Sequence, residues 1–507
     1  MLLADVVATV TAVSATRARS AKIDALARLL AQLEPDEIVP AVGLLTASPR
    51  QGRLGVGWRT LSGLPAGSAP EATVTVGDVD AAFTALAETA GAGSGARRGE
   101  VLASLARRTT PEEWDLLARV LMGELRTGAL EGVLLEAIAR AAQREPAEVR
   151  RAAMLSGDLG ETARIALTEP PDALAEVGLV VGRPVLPMLA ATAATAGDAV
   201  TATGSSSVEY KLDGARIQVH RRGDEVRVFT RSLAEVTARV PEIVEAVRGL
   251  PATDLILDGE TLSLDESGAP RAFQDTMARF GAETARRIAL RPWFFDVLHV
   301  DGRDVLDEPL SVRQQELERV AGPWRVPAIT TDDPSEAEEF AGAALDAGHE
   351  GVMVKDLAAP YVAGRRGTAW LKIKPVHTFD LVVLAVEEGS GRRAGWLSNL
   401  HLGAYDPEGE FGEPGGYVMV GKTFKGLTDE LLRWQTEHFP TIQTRRTAGT
   451  VHVAPVTVVE IAIDGVQRSP RYPGGVALRF ARVKAYRPDK RPVDADTIQR
   501  LRGMLRG

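Results

Sequence analysis

The residues with the clearest chemical potential lie between Glu209 and Arg216, where the sequence reads EYKLDGAR. Lys211 ends a predicted strand, and Gly214 lets the backbone turn and approach a ligand closely. Arg216 supplies a fixed cation suited to phosphate. Nearby cations and partial burial would favour the neutral amine of Lys211, whose lone pair covalent catalysis requires. Taken alone, the same eight residues also fit a surface lysine before an Asp-Gly hairpin turn.

Four segments downstream each place an acid, an aromatic ring or a lysine at the edge of a β-type run. They are LDGE with Glu260, FFDV with Phe295, EGVMVK with Glu350, and WLKIK with Lys372 and Lys374. Together they supply an aromatic face, two carboxylates and several cations, the groups that a nucleoside triphosphate needs. Glu260 and Glu350 offer Mg²⁺ hard oxygen ligands. A solvated strand-end charge explains each segment singly, but the lysine motif and these four segments, five in order, are hard to explain in that way.

The balance of cations gives the lysines added weight. The chain contains 50 arginines and 9 lysines, so arginine serves wherever any cation is sufficient. Only the amine of lysine can lose its proton readily and act as a nucleophile. Five of the nine lysines lie in the motifs of interest, namely Lys211, Lys355, Lys372, Lys374 and Lys490.

Composition indicates a multidomain protein of the cytoplasm. The 507 residues predict about three domains. The absence of cysteine excludes disulfide frameworks, thiolate zinc sites and cysteine nucleophiles. We expect no membrane association, because no apolar run approaches the roughly 18 residues of a span, and the start MLLADVVATV lacks a basic leader. The net charge of −9 hides a basic tail, since residues 465–507 carry 11 basic and 3 acidic side chains.

Hydrophobic periodicity divides the chain into three parts. Residues 1–172 are predicted to form a helical domain, with a helix start at Thr110-Pro111-Glu112-Glu113, a flexible loop over Ala90–Gly99 and a helix through residues 121–128. Residues 173–377 alternate β-type segments with helices such as 233–248, and Arg222-Gly223-Asp224 reads as a hairpin turn. Residues 378–507 show five or more strands with one helix near Asp429–His438, which suits a small barrel.

One motif is a decoy. Residues 416–423, GYVMVGKT, satisfy the pattern of a phosphate-binding loop. Such a loop follows a strand and opens a helix, whereas the four residues inside this match are β-type and the next helix begins later. We therefore predict a barrel strand ending in a basic turn.

The ordered set KxDGxR, DGE, FFD, EGxMxK and KxK resembles the covalent nucleotidyltransferase superfamily, and within it the ATP-dependent DNA ligases of the bacterial three-domain type. Residues 467–472, 478–482 and 487–490 resemble the last ligase motif, and LMGELRTG at residues 121–128 resembles part of the DNA-binding domain. The resemblance implies a helical DNA-binding domain (all-α), an α+β nucleotidyltransferase domain and a C-terminal β-barrel of the OB fold.

The resemblance also implies a role for each matching residue. Lys211 would carry AMP as a phosphoramidate, Glu209 would contact the adenine edge, and Phe295 would stack on the adenine ring. Glu260 would meet the ribose and, with Glu350, hold Mg²⁺ or Mn²⁺. The groups expected on nucleotide or DNA phosphate are Arg216, Arg231, Arg366, Lys372 and Lys374. The barrel residues expected to close over ATP are Arg482, Arg487, Asp489 and Lys490.

The implied activity is sealing of nicks in double-stranded DNA by a monomeric enzyme that serves replication, repair or recombination. An RNA ligase or a capping guanylyltransferase shares the lysine motif and stays as an alternative, although the large helical N-terminus favours a DNA ligase. An NAD-dependent ligase is disfavoured because that family carries a four-cysteine zinc site. A catalytically silent nucleic-acid clamp need not retain Lys211, Glu260, Glu350 and Lys372.

Overall fold

The structure is a computed structural model. It describes residues 1–52, 54–64, 67–91, 93–125, 131–266, 268, 270–271, 273–280, 289–362, 366–389, 393, 395–423 and 426–505, without the side chains of Trp58, Arg59 and Arg366. A helical domain, an α+β domain and a β-rich domain follow one another along the chain, which confirms the predicted architecture. None of the helices described here is both long enough and apolar enough to cross a lipid bilayer.

The N-terminal domain packs its helices around one apolar core. Helical spacing places Val6, Val10 and Val13 on the buried face of the first helix. The helices are α1 (Leu3–Ala15), α2 (Arg19–Leu30), α3 (Ile38–Thr46), α4 (Trp58–Ser62), α5 (Val76–Glu88), α6 (Ser94–Arg108), α7 (Pro111–Leu121), α8 (Glu131–Ala142), α9 (Pro146–Ser156) and α10 (Leu159–Thr168).

The predicted helix start at Thr110 is confirmed, because Thr110 and Glu113 cap each other at the start of α7. Two predictions in this domain are wrong. Helix α6 begins at Ser94, inside the expected loop, directly after Gly93 in a left-handed conformation. The helix expected through residues 121–128 ends at Leu121, since Gly123 has a φ of 66° that no helix continues; residues 126–128 lie outside the described chain.

The middle domain is built from two five-stranded sheets that face each other. The first has the order β1 (Leu189–Thr192), β10 (Arg366–Ile373), β9 (Gly351–Asp356), β2 (Ser206–Lys211), β8 (Ala328–Thr331). The second has the order β4 (Glu225–Thr230), β3 (Ala215–Arg222), β5 (Asp254–Ser263), β6 (Leu290–Val300), β7 (Arg303–Asp304). The helices are α11 (Ala196–Thr203), α12 (Pro241–Arg248), α13 (Phe273–Phe280), α14 (Leu310–Ala321) and α15 (Pro334–Asp346).

Local backbone geometry decides two predictions in the second sheet. The hairpin turn between β3 and β4 is confirmed, with Gly223 at a φ of 58°. The helix expected over residues 233–248 is wrong in its first half, because Leu233 has a φ of 63° and the backbone N–H of Val236 donates to Val228. This segment folds back on β4, and α12 starts at Pro241, where a proline suits the first helical position.

The C-terminal domain is a curled sheet of the OB type. Strand β11 pairs with β12 on one side and with β15 and then β16 on the other, and bulges along it let the sheet bend around Leu381, Val383 and Val386. The elements are β11 (His377–Glu388), β12 (Leu397–Asp406), β13 (Gly416–Lys422), α16 (Asp429–His438), β14 (Gln443–Thr447), β15 (Thr450–Val453), β16 (Val458–Ile463), β17 (Gly465–Arg468), β18 (Val476–Arg479), β19 (Arg482–Tyr486) and α17 (Ile498–Arg502).

The decoy motif forms strand β13, as predicted. The segment pairs with β12 along its length, so its backbone amides serve the sheet ladder rather than a phosphate loop.

A fully buried ion pair lies in the core of the middle domain. Arg313 on α14 binds Asp296 on β6 through two contacts, of 2.7 and 3.1 Å, and neither side chain is exposed to solvent. Arg313 also donates to the backbone oxygens of Glu308 and Ala359. The ion pair of Arg313 with Asp296 therefore joins helix α14 to the second sheet. Within the described chain, each of these two side chains is the other's only counter-charge.

Replacing Arg313 by Met should destabilise the protein by about 3–5 kcal/mol, because Asp296 is left buried without a counter-charge. The double change Arg313→Met with Asp296→Asn should recover part of that loss. Urea unfolding followed by circular dichroism measures both; a single-variant loss under about 1 kcal/mol would contradict the role given to the pair.

Candidate active site

One face of the first sheet carries most of the predicted chemistry. Residues directly opposite each other on neighbouring strands point to the same face. The register places Glu209 opposite Met353 and Met353 opposite Lys372, which makes these three side chains one row across the sheet. Lys211 lies two residues from Glu209 on the same face, opposite Gly351. The predicted nucleophile, adenine contact and phosphate lysine are thus brought onto one surface.

The other face of this sheet explains why that surface is available. Val208, Val352 and Leu371 are buried against the apolar sides of α11 and α15. Because the helices cover this side only, the face with Lys211 is left to meet the second sheet across a cleft.

The second sheet brings its own groups to the cleft. Arg216 on β3 lies opposite Glu260 on β5, and Phe295 follows on β6. Gly214 permits the close approach of the two strands, since a Cβ there would lie 2.2 Å from the backbone oxygen of Thr261. Its N–H also donates to Glu260 at 2.8 Å. Packing, and not a left-handed backbone conformation, therefore requires the glycine of the lysine motif.

The amine of Lys211 forms an ion pair with the carboxylate of Glu350, and both side chains are partly exposed. Lys374 binds the second oxygen of the same carboxylate at 3.0 Å. Burial alone raises the pKa of Glu350, but the charges of Lys211 and Lys374 bring that pKa below its usual value. The neighbouring cation expected from the sequence is therefore Lys374. In the described contacts it binds the same carboxylate as Lys211 and does not contact Lys211 directly.

Glu260 lies in a different electrostatic environment from Glu350. Burial raises the pKa of Glu260 to about 7, against the opposing effects of the Lys211 charge and the Gly214 N–H. The two carboxylates of the predicted metal pair thus both lie near the Lys211 amine, and they differ in how readily they ionise. A cation that binds both would favour the ionised form of Glu260.

Arg216 is more deeply committed to the protein than the sequence suggests. Its guanidinium binds Asp258 through contacts of 2.7 and 3.1 Å and donates to the backbone oxygen of Met188 at 2.7 Å. The hydroxyl of Tyr361 donates to the same Asp258 carboxylate at 2.7 Å. The Cζ atom of Arg216 also lies 5.5 Å from the ring centre of Phe295. Arg216 is therefore fixed in orientation before any ligand arrives.

The remaining predicted phosphate groups are placed as follows. Arg231 is exposed and lines a small surface cavity together with Arg216. Lys372 lies on β10 in the row with Glu209. Arg366 begins β10, and its side chain lies outside the described part of the structure.

The predicted adenine contact, Glu209, is buried, and its carboxylate contacts three side chains. Its carboxylate forms an ion pair with Lys355 at 2.5 Å and accepts hydrogen bonds from Ser207 and Gln314. Lys355 also lies 4.5 Å from the ring centre of Phe295. The base-binding groups expected from the sequence are thereby joined through Lys355.

The C-terminal domain docks directly onto the cleft. Arg479 at the end of β18 binds Asp213 of the lysine motif through contacts of 2.7 and 3.2 Å. Asp464, before β17, binds Lys374 at 2.5 Å and Arg482 at 2.9 Å. Through Asp464, the C-terminal domain reaches the carboxylate that holds Lys211.

The predicted barrel residues are divided by this arrangement. Arg482 joins the cleft through Asp464. In contrast, Arg487 and Lys490 both bind Asp380 at the start of β11, and Arg487 also pairs with Asp489. In the described contacts these three residues pair within their own domain, away from Lys211.

Sequence reasoning missed Lys355, Asp464 and Arg479 as site residues. Lys355 carried a usable signal, because it is one of nine lysines and lies in the EGVMVK segment. Arg479 lies in the segment 478–482 that resembles the last ligase motif, but nothing local indicated its partner Asp213, 266 residues away. Asp464 gave no local signal, since its partner Lys374 is 90 residues away in the chain.

The raised pKa of Glu260 predicts a pH-dependent stability. An unfolded glutamate titrates near about 4.3, so between that pH and about 7 the folded state binds more protons and its stability falls as pH rises. Glu260→Gln removes this titration and should gain up to about 3 kcal/mol relative to wild type between about pH 5 and pH 8. Thermal unfolding in the presence of a chelator at both pH values measures the difference.

The matched control is Glu437→Gln, at an exposed position on α16. An equal pH dependence in this control would show that the effect does not come from burial of Glu260.

Three family models match the chain. The ATP dependent DNA ligase domain matches residues 187–374, the DNA ligase N terminus matches residues 65–139, and the ATP dependent DNA ligase C terminal region matches residues 393–490. The first of these spans the two sheets that enclose the cleft.

Curated relatives match over the whole chain. A probable DNA ligase of Pseudarthrobacter chlorophenolicus is 63% identical, covering 100% of both chains, and one of Saccharopolyspora erythraea is 58% identical, covering 99% of this chain and 98% of the relative. The solved structure of Pmar-Lig_PreS3 shares the fold, with a TM-score of 0.65 at 18% identity over 95% of this chain and 99% of that one. The chain therefore belongs to the ATP-dependent DNA ligases.

Proposed function

We propose that this ligase seals nicks in duplex DNA by way of an adenylate carried on Lys211. The observation that supports this most directly is the position of Lys211 in the cleft. Its side chain is 20% exposed, and its amine is paired with Glu350. A covalent nucleophile must reach its substrate and lose its proton to a neighbouring base. Lys211 meets both requirements.

In the first step, Nζ of Lys211 attacks the α-phosphorus of ATP. A P–N bond forms while the bond from the α-phosphorus to the pyrophosphate oxygen breaks, and the proton that the amine loses passes to the Glu350 carboxylate beside it. Transfer of this kind depends mainly on in-line placement and neutralisation of charge. Lys372 on β10 and Lys374 directly after it supply that charge on the wall of the cleft. Arg366, at the start of β10, is proposed to contribute to the same charge.

The base of ATP lies at the inner end of the same surface. Phe295 offers its ring as a stacking face, and Glu209 offers carboxylate oxygens to the edge of the base. Since Lys211 and Glu209 lie two residues apart on one strand face, a nucleotide that reaches both lies along β2.

Glu260 and Glu350 fit Mg²⁺ in the chemistry of their donors. Both are carboxylates beside Lys211, and Mg²⁺ is commonly held by one or two carboxylates together with substrate phosphates. Within the described residues no group of three or more His, Cys, Asp or Glu is placed to hold a metal by itself. Phosphate oxygens of the substrate would supply further ligands beside the two carboxylates. When bound, Mg²⁺ neutralises charge on the triphosphate.

The second and third steps join the DNA ends. A 5′-phosphate oxygen attacks the α-phosphorus on Lys211, the P–N bond breaks, and the amine recovers a proton. The 3′-hydroxyl then attacks the activated 5′-phosphorus and loses its proton as AMP leaves. Arg231 and Arg216 are proposed to hold the 5′-phosphate, and encirclement of the duplex by three domains would suit sequence-independent contact with the DNA backbone.

The first step requires a different position of the C-terminal domain. Arg482, Arg487, Asp489 and Lys490 are proposed to close over ATP and orient the pyrophosphate. Asp380 holds Arg487 and Lys490 within the domain in the arrangement described above, so closure on ATP needs rotation of the domain and release of Arg479 from Asp213.

Lys211→Arg should form no adenylate, although it keeps the positive charge, because guanidinium does not lose its proton near neutral pH. Mass spectrometry after incubation with ATP and Mg²⁺ measures the adduct and locates it. The exposed Lys484→Arg serves as the matched control and should be labelled like wild type. An adduct on any other residue, or nick sealing by Lys211→Arg, would overturn the proposal.

The two faces of the C-terminal domain predict opposite defects. Arg487→Ala should slow self-adenylation by tenfold or more and leave sealing of a pre-adenylated nick near the wild-type rate. Arg479→Ala should slow sealing of the pre-adenylated nick and spare self-adenylation, because it loses the contact with Asp213. Single-turnover assays of each step measure both; equal defects in both steps would contradict this division of roles.

A further inference from the structure

Lys355 lies buried between the two sheets of the middle domain, with 1% of its side chain exposed. Its Nζ lies 2.5 Å from Oε2 of Glu209 and donates a hydrogen bond of 3.2 Å to the backbone oxygen of Phe295. One ammonium group therefore binds the strand that carries the carboxylate and the strand that carries the stacking ring.

The same ammonium also fixes the aromatic groups. Nζ lies 4.5 Å from the ring centre of Phe295 and 4.3 Å from that of Trp370, within the range of cation–π attraction. The two rings meet edge to face, with centres 5.9 Å apart. Movement of Lys355 would therefore displace both the Glu209 carboxylate, which is proposed to contact the edge of the base, and the Phe295 ring, which is proposed to stack on it.

Every described partner of the Glu209 carboxylate donates to it. Oε1 accepts from the hydroxyl of Ser207 at 3.0 Å and from the amide of Gln314 at 3.1 Å, and Oε2 faces Lys355. An ion-paired carboxylate accepts hydrogen bonds and donates none.

We infer that Lys355 is a specificity-determining residue that holds Glu209 as an acceptor and thereby selects adenine over guanine. This inference rests on the proposed function and deepens it by naming the basis of nucleotide choice. Lys355 acts through Glu209 and Phe295, so it is a positioning residue.

The chemistry of the two purines explains the selection. Adenine presents an amino group at position 6, a donor that an acceptor-only carboxylate binds. Guanine presents a carbonyl oxygen there, whose lone pairs face those of the carboxylate, and this unpaired acceptor is rejected. Without Lys355, the carboxylate of Glu209 is no longer fixed as an acceptor for position 6 of the base, and the discrimination falls.

The experiment compares self-adenylation and self-guanylation of wild type, Lys355→Met and Lys355→Arg, with labelled ATP and GTP. Lys355→Met should lower the ATP-to-GTP ratio of kcat/KM by about tenfold or more, mainly through a higher KM for ATP. Lys355→Arg keeps the charge and should retain more of the preference. Loss of the preference in Lys355→Arg to the same extent as in Lys355→Met would show that packing sets the ratio, which overturns the inference.

The control is Arg279→Met, which breaks another buried ion pair of the same domain, that with Glu242, away from the base site. Its ATP-to-GTP ratio should equal that of wild type. An unchanged ratio in Lys355→Met, or a fall of the same size in Arg279→Met, would overturn the inference.

Gln314→Met provides a second variant if Lys355→Met does not fold. It removes one donor to Glu209 and keeps the ion pair, so the ratio should fall in the same direction by a smaller factor; an unchanged ratio counts against the inference. The wild-type ATP arm tests the proposed function separately. Absence of a wild-type adduct overturns the function and the inference together, whereas a wild-type adduct with unchanged variant ratios overturns the inference alone.

Discussion

The interaction on which the site depends is the binding of two lysines by one carboxylate. Glu350 holds Lys211 on one oxygen and Lys374 on the other, and Lys374 continues to Asp464 of the C-terminal domain. Two cations at such close range repel each other unless an anion lies between them. Glu350 makes it feasible to keep the proposed nucleophile, Lys211, and the proposed phosphate-binding amine, Lys374, side by side in a partly buried cleft.

This arrangement also joins chemistry to domain position. Asp464 and Arg479 contact the cleft from the C-terminal domain, and both bind residues next to the nucleophile. A change in the position of that domain therefore changes the charges that Lys374 and Asp213 experience. The position of the C-terminal domain and the electrostatic environment of Lys374 and Asp213 therefore change together.

Much of the fold could be predicted from the sequence because it follows local patterns. The capping pair of Thr110 and Glu113, the turn at Gly223 and the strand at residues 416–422 each depend on residues close in the chain. The errors arose where a single backbone conformation decided the outcome. A positive φ at Leu233 is not encoded by residue type, since leucine rarely adopts it.

The candidate site was predictable in its residue types and less so in its contacts. Alternation along β2 places Glu209 and Lys211 on one face, which any strand reading gives. The partner of each side chain depends on how distant strands and domains pack. Lys355 beside Glu209, and Asp380 beside Lys490, bring together residues 146 and 110 positions apart, and no periodicity records such pairs.

The short connection between the two catalytic domains has a mechanical consequence. Strand β10 ends at Ile373 and β11 begins at His377, so three residues join the domains, and Lys374 is the first of them. A rotation about this connection leaves the pivot almost stationary while it sweeps the far strands through a wide arc. The rotation proposed for the adenylation step would therefore change which surface of the barrel faces the cleft, while the amine of Lys374, at the pivot, would stay close to the cleft.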